Sequence, residues 1–186
     1  MSKIQNDASR FVRGMLMGDW RSLNREEIHQ LNLWIMNLAL VCDFTDSDAG
    51  DIPAIHRRLL IRRREVGPDW MLFVGRFAHV DLRPHFNKWH GTKVKIGPKN
   101  EVIIQTAASF TFTLGNVLIY ALIVPDGFID MRLNVERFSL AHALVPTHPS
   151  AAAPFTVPSR EVEFDEWSEI ATDLPRALGH PFEIPV

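Results

Sequence analysis

An α+β domain with a mainly antiparallel sheet is the fold class this sequence predicts, and three observations carry it. Residues 1–65 bear apolar stripes at helical period, and residues 70–124 bear strand-length apolar runs divided by turn signals. The two kinds of segment do not alternate as a βαβ fold would require, so helices are expected to stand first and strands second. The 186 residues suit a single domain, 1–149, with an arm, 150–186, that packs on the domain or on a partner. A chain this long buries roughly 70% of the surface it would expose unfolded, so it needs no disulfide staples.

About three helices are expected. In the first, Ile4, Ala8, Phe11, Val12, Met15 and Leu16 recur at steps of three and four; Ser2 can cap its start and Gly18 can end it in a left-handed turn. The second opens at Asn24, with Glu27 three residues on and Leu23 placed to staple against Ile28. Its stripe runs Ile28, Leu31, Trp34, Ile35, Leu38, Val41 and Cys42, and it is long enough, about 30 Å, to cross the domain on the sheet's apolar face. The third starts near Pro53 and continues through Leu59, Leu60 and Ile61.

Beyond Gly67-Pro68, Trp70 to Val74 is an apolar run of strand length. Residues 78–100 read as polar and irregular. Glu101 to Val124 reads as two or three strands, in which Phe110, Phe112 and Leu114 alternate with Thr111 and Thr113 to give one buried and one wetter face. Gly115-Asn116 supplies the positive-φ residues of a tight hairpin, and Pro125-Asp126-Gly127 supplies the next turn. Residues 128–145 fit strand and helix equally.

Composition narrows the function classes. Twenty Lys and Arg against 22 Asp and Glu give a net charge of −2, so no whole-chain basic field exists to attract nucleic acid. The acidic excess lies in residues 150–186, with two basic and seven acidic side chains and five prolines. One cysteine excludes an internal disulfide and any multi-thiolate zinc site within this chain. No apolar stretch is long enough for a membrane span and MSKIQNDASR lacks a signal-peptide core, so a cytoplasmic protein is expected, with no cofactor and no membrane partner.

Two clusters could carry function. Arg57, Arg58, Arg62, Arg63 and Arg64 fall within eight residues; on a regular helix Arg58 and Arg62 lie one turn apart, and Arg57 and Arg64 two turns. Guanidinium forks suit phosphate oxygens, so this helix can serve nucleic-acid binding, with Trp89 stacking on a base. The plainer reading is a solvated face backed by Leu59, Leu60 and Ile61, its acidic partners in the C-terminal arm, and a Trp89 that pins its own loop. His79, Asp81, His85 and His90 could bind a divalent metal and support a metal-dependent enzyme, but their spacing matches no compact metal signature. Cys42 reads as a structural thiol, and Asp43, Asp46, Asp48 and Asp51 as a solvated loop that caps the third helix, since they fail the calcium-loop pattern. The chain has no G-x-S-x-G and no phosphate-cradling glycine loop.

The order of features resembles the C-terminal portion of bacterial HNH-endonuclease-like proteins, where a Trp-Met-Ser stretch runs into a helix, then a long Trp-bearing helix, an Ile-Pro start, an Arg-rich helix and an apolar strand ending in Gly-Arg. Met1-Ser2-Lys3-Ile4, Gly18, Trp34 with Ala39, Ile52-Pro53, Arg57, Leu60, Pro68, Val74-Gly75-Arg76, Leu114-Gly115 and Trp167 carry the likeness. Asn37 departs from it, standing where the family usually has lysine, and a glutamate is common near Asp43. The family's metal-binding cysteines and water-activating histidine have no counterpart here, so the resemblance implies an accessory domain that positions substrate or partners. Either the coding start lies at an internal Met or the domain is solitary. A removed half is expected to leave Ile4, Phe11 and Met15 as an exposed edge that drives homodimerisation.

Overall fold

The computed structural model describes residues 3–45, 52–78, 84–96, 102–124, 144–149 and 155–172, of which 89–96 and 102–107 are described by backbone alone. The class is α+β. Among these residues the order is α1 (Lys3–Leu16), α2 (Arg25–Thr45), α3 (Ala54–Arg58) running into a π-helical turn (Leu59–Arg63), β1 (Trp70–Phe77), β2 (His85–Ile96), β3 (Val102–Leu114), β4 (Val117–Ile123), β5 (Val145–His148), β6 (Glu161–Val162) and α4 (Phe164–Thr172). The strands form one sheet in the order β2-β3-β4-β1-β5, and β6 joins β1. Every pairing is antiparallel except that of β6 with β1.

The α2 start is built as its sequence directs. The Asn24 side chain accepts the Glu27 N–H at 3.0 Å and Glu27 accepts the Asn24 N–H at 3.0 Å, while Leu23 and Ile28 are both buried. Gly18, at φ +84°, lets the chain leave α1. Of the apolar edge expected of the first helix, Phe11 and Met15 are buried in the core that α1 shares with α2, and Ile4 is half-buried against it. Solvent exclusion by α2 has already satisfied that stripe.

The sheet is apolar on both faces. Trp70, Leu72 and Val74 of β1 and Val117, Ile119, Ala121 and Ile123 of β4 meet the helical layer of α1, α2 and α3. Met71, Phe73, Leu118, Tyr120 and Leu122 meet a second core with Val162 and Ile170 from the C-terminal segment. This overturns the wetter face expected of β3. Thr111 and Thr113 are buried, because the opposite side of the sheet carries a core of its own. Tyr120 is fully buried there, and burial holds its hydroxyl protonated far above the usual phenol range.

Residues 85–96 are a twelve-residue edge strand and not irregular chain. His85–Gly91 and Thr92–Ile96 pair continuously with β3 from Thr113 down to Val102, whereas β4 accompanies β3 only from Ala108 to Leu114. The β2–β3 ribbon therefore extends beyond the sheet. At the other end of β3 a two-residue turn connects Leu114 to Val117. Only Gly115 of that turn has positive φ, at +54°; Asn116 does not share it. Asn116 instead binds the layers together. Its amide donates to the Phe77 carbonyl, its Oδ1 accepts the Trp20 indole N–H at 2.7 Å, and its backbone N–H reaches the Leu16 carbonyl at 3.0 Å.

Candidate functional site

The C-terminal half of α2 meets α3 and β2 at a corner built around Asp43. This carboxylate is fully buried and does not belong to the solvated loop expected from the acidic run. Its Oδ1 lies 3.1 Å from Lys88 Nζ, a lysine side chain only 7% exposed, and its Oδ2 lies 3.5 Å from Arg57 Nη2. Oδ2 also accepts the Ile52 backbone N–H at 3.4 Å. One buried anion thus joins the end of α2, the start of α3 and the edge strand. The α3 N-terminus itself has Pro53 at its cap and no side-chain cap. Asp46, Asp48 and Asp51 lie outside the described residues.

The π-turn decides where the arginines go. One residue more per turn than an α-helix rotates the later positions away from the earlier ones. Arg57 and Arg64, expected on one face, accordingly part company. Arg57 reaches Asp43 and places its guanidinium 5.7 Å from the centre of the Phe44 ring, a cation–π contact. Arg64 ends the turn at φ +55° and bonds Asp7 of α1 at 2.7 Å. The described ion pairs of the run therefore go to Asp43 and Asp7, and the described arm acids Glu161 and Glu166 pair with Arg76 and Arg160. Arg58, Arg62 and Arg63 stand exposed and share a concavity of about 370 Å³ with Ile55 and Leu59.

Ile61 does not back the arginines from inside. It is 78% exposed, while Leu60 takes the buried position. With Phe44, 70% exposed, and with Leu40, Val41, Leu60, Asn37 and Arg57 it lines an open apolar cavity of about 240 Å³ between α2 and the π-turn. A second cavity of about 500 Å³ flanks the same half of α2, bounded by Leu38, Cys42, His85, Phe86 and Phe112 among others. Burial pushes the Cys42 thiol up, away from the depressed values of nucleophilic cysteines, in keeping with a structural role.

Of the loop residues considered for metal, His79 and Asp81 lie outside the described residues and His90 is described by backbone alone. His85 packs its ring against Phe164 and Trp167 at centroid distances of 5.4 Å. Among the described residues no cluster of three metal-ligating side chains occurs. Trp89 pairs with Ser109 across the sheet, and its side chain lies outside the description.

A further histidine, unmarked in the sequence, is fixed in one role. His56 is buried, and its Nδ1 accepts the Trp70 indole N–H at 3.1 Å, which requires that nitrogen to be unprotonated. Burial lowers its pKa below the usual 6.5, with Asp69 opposing the shift. The unfolded chain then binds a proton that the folded chain refuses. Stability from this site is complete above pH about 6.5 and falls as pH drops below it. Urea midpoints measured from pH 7 to pH 5 should decline more steeply for the native chain than for His56→Gln; equal slopes would contradict the account.

Asp43, Lys88, Phe44 and Ile61 were not candidates from sequence. An aspartate inside Val41-Cys42-Asp43-Phe44 is the one local signal that could have marked the corner, since a charge on an apolar helical stripe needs a partner. No helix among the described residues is long and apolar enough to cross a membrane. Comparison of the chain with family models, with curated proteins and with solved structures returned no match.

Proposed function

We propose that this chain is a non-catalytic interaction domain, the counterpart of the C-terminal portion of HNH-endonuclease-like proteins, and that it docks partner proteins at the corner of α2 and α3. The observation that carries the reading is the gathering of exposed apolar side chains there. Val41, Phe44 and Ile61 line one cavity between α2 and the π-turn, while Ile55 and Phe86 line separate concavities and Met17 and Phe164 are exposed as well. The buried Asp43 cluster beneath fixes the two helices that present them.

The purified chain, incubated with plasmid DNA and magnesium, manganese or zinc, is expected to leave the DNA uncut; cutting would overturn the reading. The intact mass of the protein isolated from its source cells separates the two forms of the proposal. A mass well above 21.2 kDa favours the form in which further sequence accompanies the domain, and a mass of 21.2 kDa favours the solitary form.

A second reading, binding of nucleic acid, has the exposed Arg58, Arg62 and Arg63 in its favour. It requires salt-sensitive binding that Arg62→Ala with Arg63→Ala removes, and unchanged affinity would count against it.

A further inference from the structure

Resting on the docking reading, we propose that the groove between Phe44 and Ile61 receives an acidic amphipathic helix of a partner protein. Shape supplies the first argument. The concavity runs between two helical segments, and its walls, Leu40, Val41, Phe44, Leu60 and Ile61, are apolar. An apolar trough of this kind suits anchors spaced at i, i+4 and i+7 on one helix face.

Charge supplies the second argument. Among the described residues no carboxylate lines this groove, while Arg57 sits in it; Arg58, Arg62 and Arg63 of the same short segment line a separate concavity with Ile55 and Leu59. Asp43 beneath is already matched by Lys88 and Arg57. Arg57 is not saturated by that contact. Its Nη2 is 3.5 Å from the carboxylate, and its buried Nε has no hydrogen-bond partner. A neutral helix closing over the groove would take water from the part of this guanidinium that is still exposed, whereas a glutamate on the flank of the incoming helix would give that part a second anion. A nucleic acid would meet the arginines but leave Phe44 and Ile61 against a phosphate backbone, which offers them no apolar contact.

The test uses a fluorescently labelled designed helical peptide with leucines at i, i+4 and i+7 and glutamates beside them, and the same peptide with lysine in place of glutamate. Anisotropy is read on the full chain, on Ile61→Asp and on Arg58→Glu with Arg62→Glu, all at exposed positions, with thermal unfolding confirming that each variant folds. Expected are binding of the glutamate peptide about ten-fold or more tighter than the lysine peptide, a comparable loss in Ile61→Asp, and a reversed preference in the double charge variant. Equal binding of both peptides that Ile61→Asp still weakens would sink the acidic partner and leave the docking corner standing. Binding of neither peptide would overturn the inference. So would displacement of the peptide by a short DNA duplex whose own binding ignores Ile61→Asp, and so would self-association abolished by that substitution, which would make the occupant a second copy.

Discussion

Asp43→Ala is expected to lower the stability of the chain by about 3–5 kcal/mol, the range for removing one partner of a buried ion cluster. The loss is large because Asp43 is a fully buried anion that faces both Lys88, whose side chain is only 7% exposed, and Arg57. Arg57, at 37% exposure, can turn to water and contributes less of the penalty. The Ile52 N–H loses its acceptor as well. Lys88→Met should cost less than Asp43→Ala, since Asp43 keeps Arg57 and the Ile52 amide while the aliphatic replacement fills the stem's volume. Urea unfolding of the two variants measures both quantities. A cost below about 1 kcal/mol for Asp43→Ala would mean that water reaches the corner and that the cluster is not buried in solution.

Gly115→Ala is expected to cost about 2–4 kcal/mol, from two sources that act together. The residue has φ +54°, a conformation that an L side chain adopts only with strain. A Cβ there would also lie well inside van der Waals contact of the Leu16 carbonyl oxygen, the same oxygen that accepts the Asn116 N–H. Relief of the overlap would pull the β3–β4 turn off the end of α1. Gly14→Ala is the matched control: it lies within α1, its Cβ would meet the Asp19 carbonyl at 3.3 Å, and the gain in helix propensity offsets that crowding. Thermal unfolding of the two variants side by side should show a marked drop for Gly115→Ala alone, and equal midpoints would refute the account.

What was legible in the sequence was local. The Asn24–Glu27 box, the Leu23–Ile28 staple and the Gly18 terminus involve residues within five positions of one another, and each stands where its pattern put it. The α+β class followed from helical-period stripes, strand-length runs and the lack of alternation between them. What the sequence hid depends on distant partners. Asp43 reads as one of a run of loop acids until Lys88, 45 positions away, is brought beneath it. The strand β2 escaped because edge strands carry lysines and polar residues that discourage further pairing, and Lys93 and Lys95 make it resemble a loop. Thr111 and Thr113 look solvated on a strand, and only a second core on the far face makes them buried. The π-turn, which parts Arg57 from Arg64 and turns Ile61 outward, leaves no mark in helical periodicity.

The central position of β1 has a consequence for the order in which the protein can mature on the ribosome. The strand emerges first of the six, yet its neighbours are β4 on one side and β5 with β6 on the other, so one of its edges waits for residues 145–162. Its far face, with Met71 and Phe73, waits for Val162 and Ile170. At about 5–20 residues per second, roughly a hundred residues of further synthesis correspond to several seconds in which a nascent apolar sheet has α1 and α2 on one side and still lacks Val162 and Ile170 on the other. The helical layer precedes the sheet in synthesis, and these C-terminal partners follow it. Nascent chains halted just after Val124 should therefore be held by chaperones far more strongly than chains halted beyond Thr172.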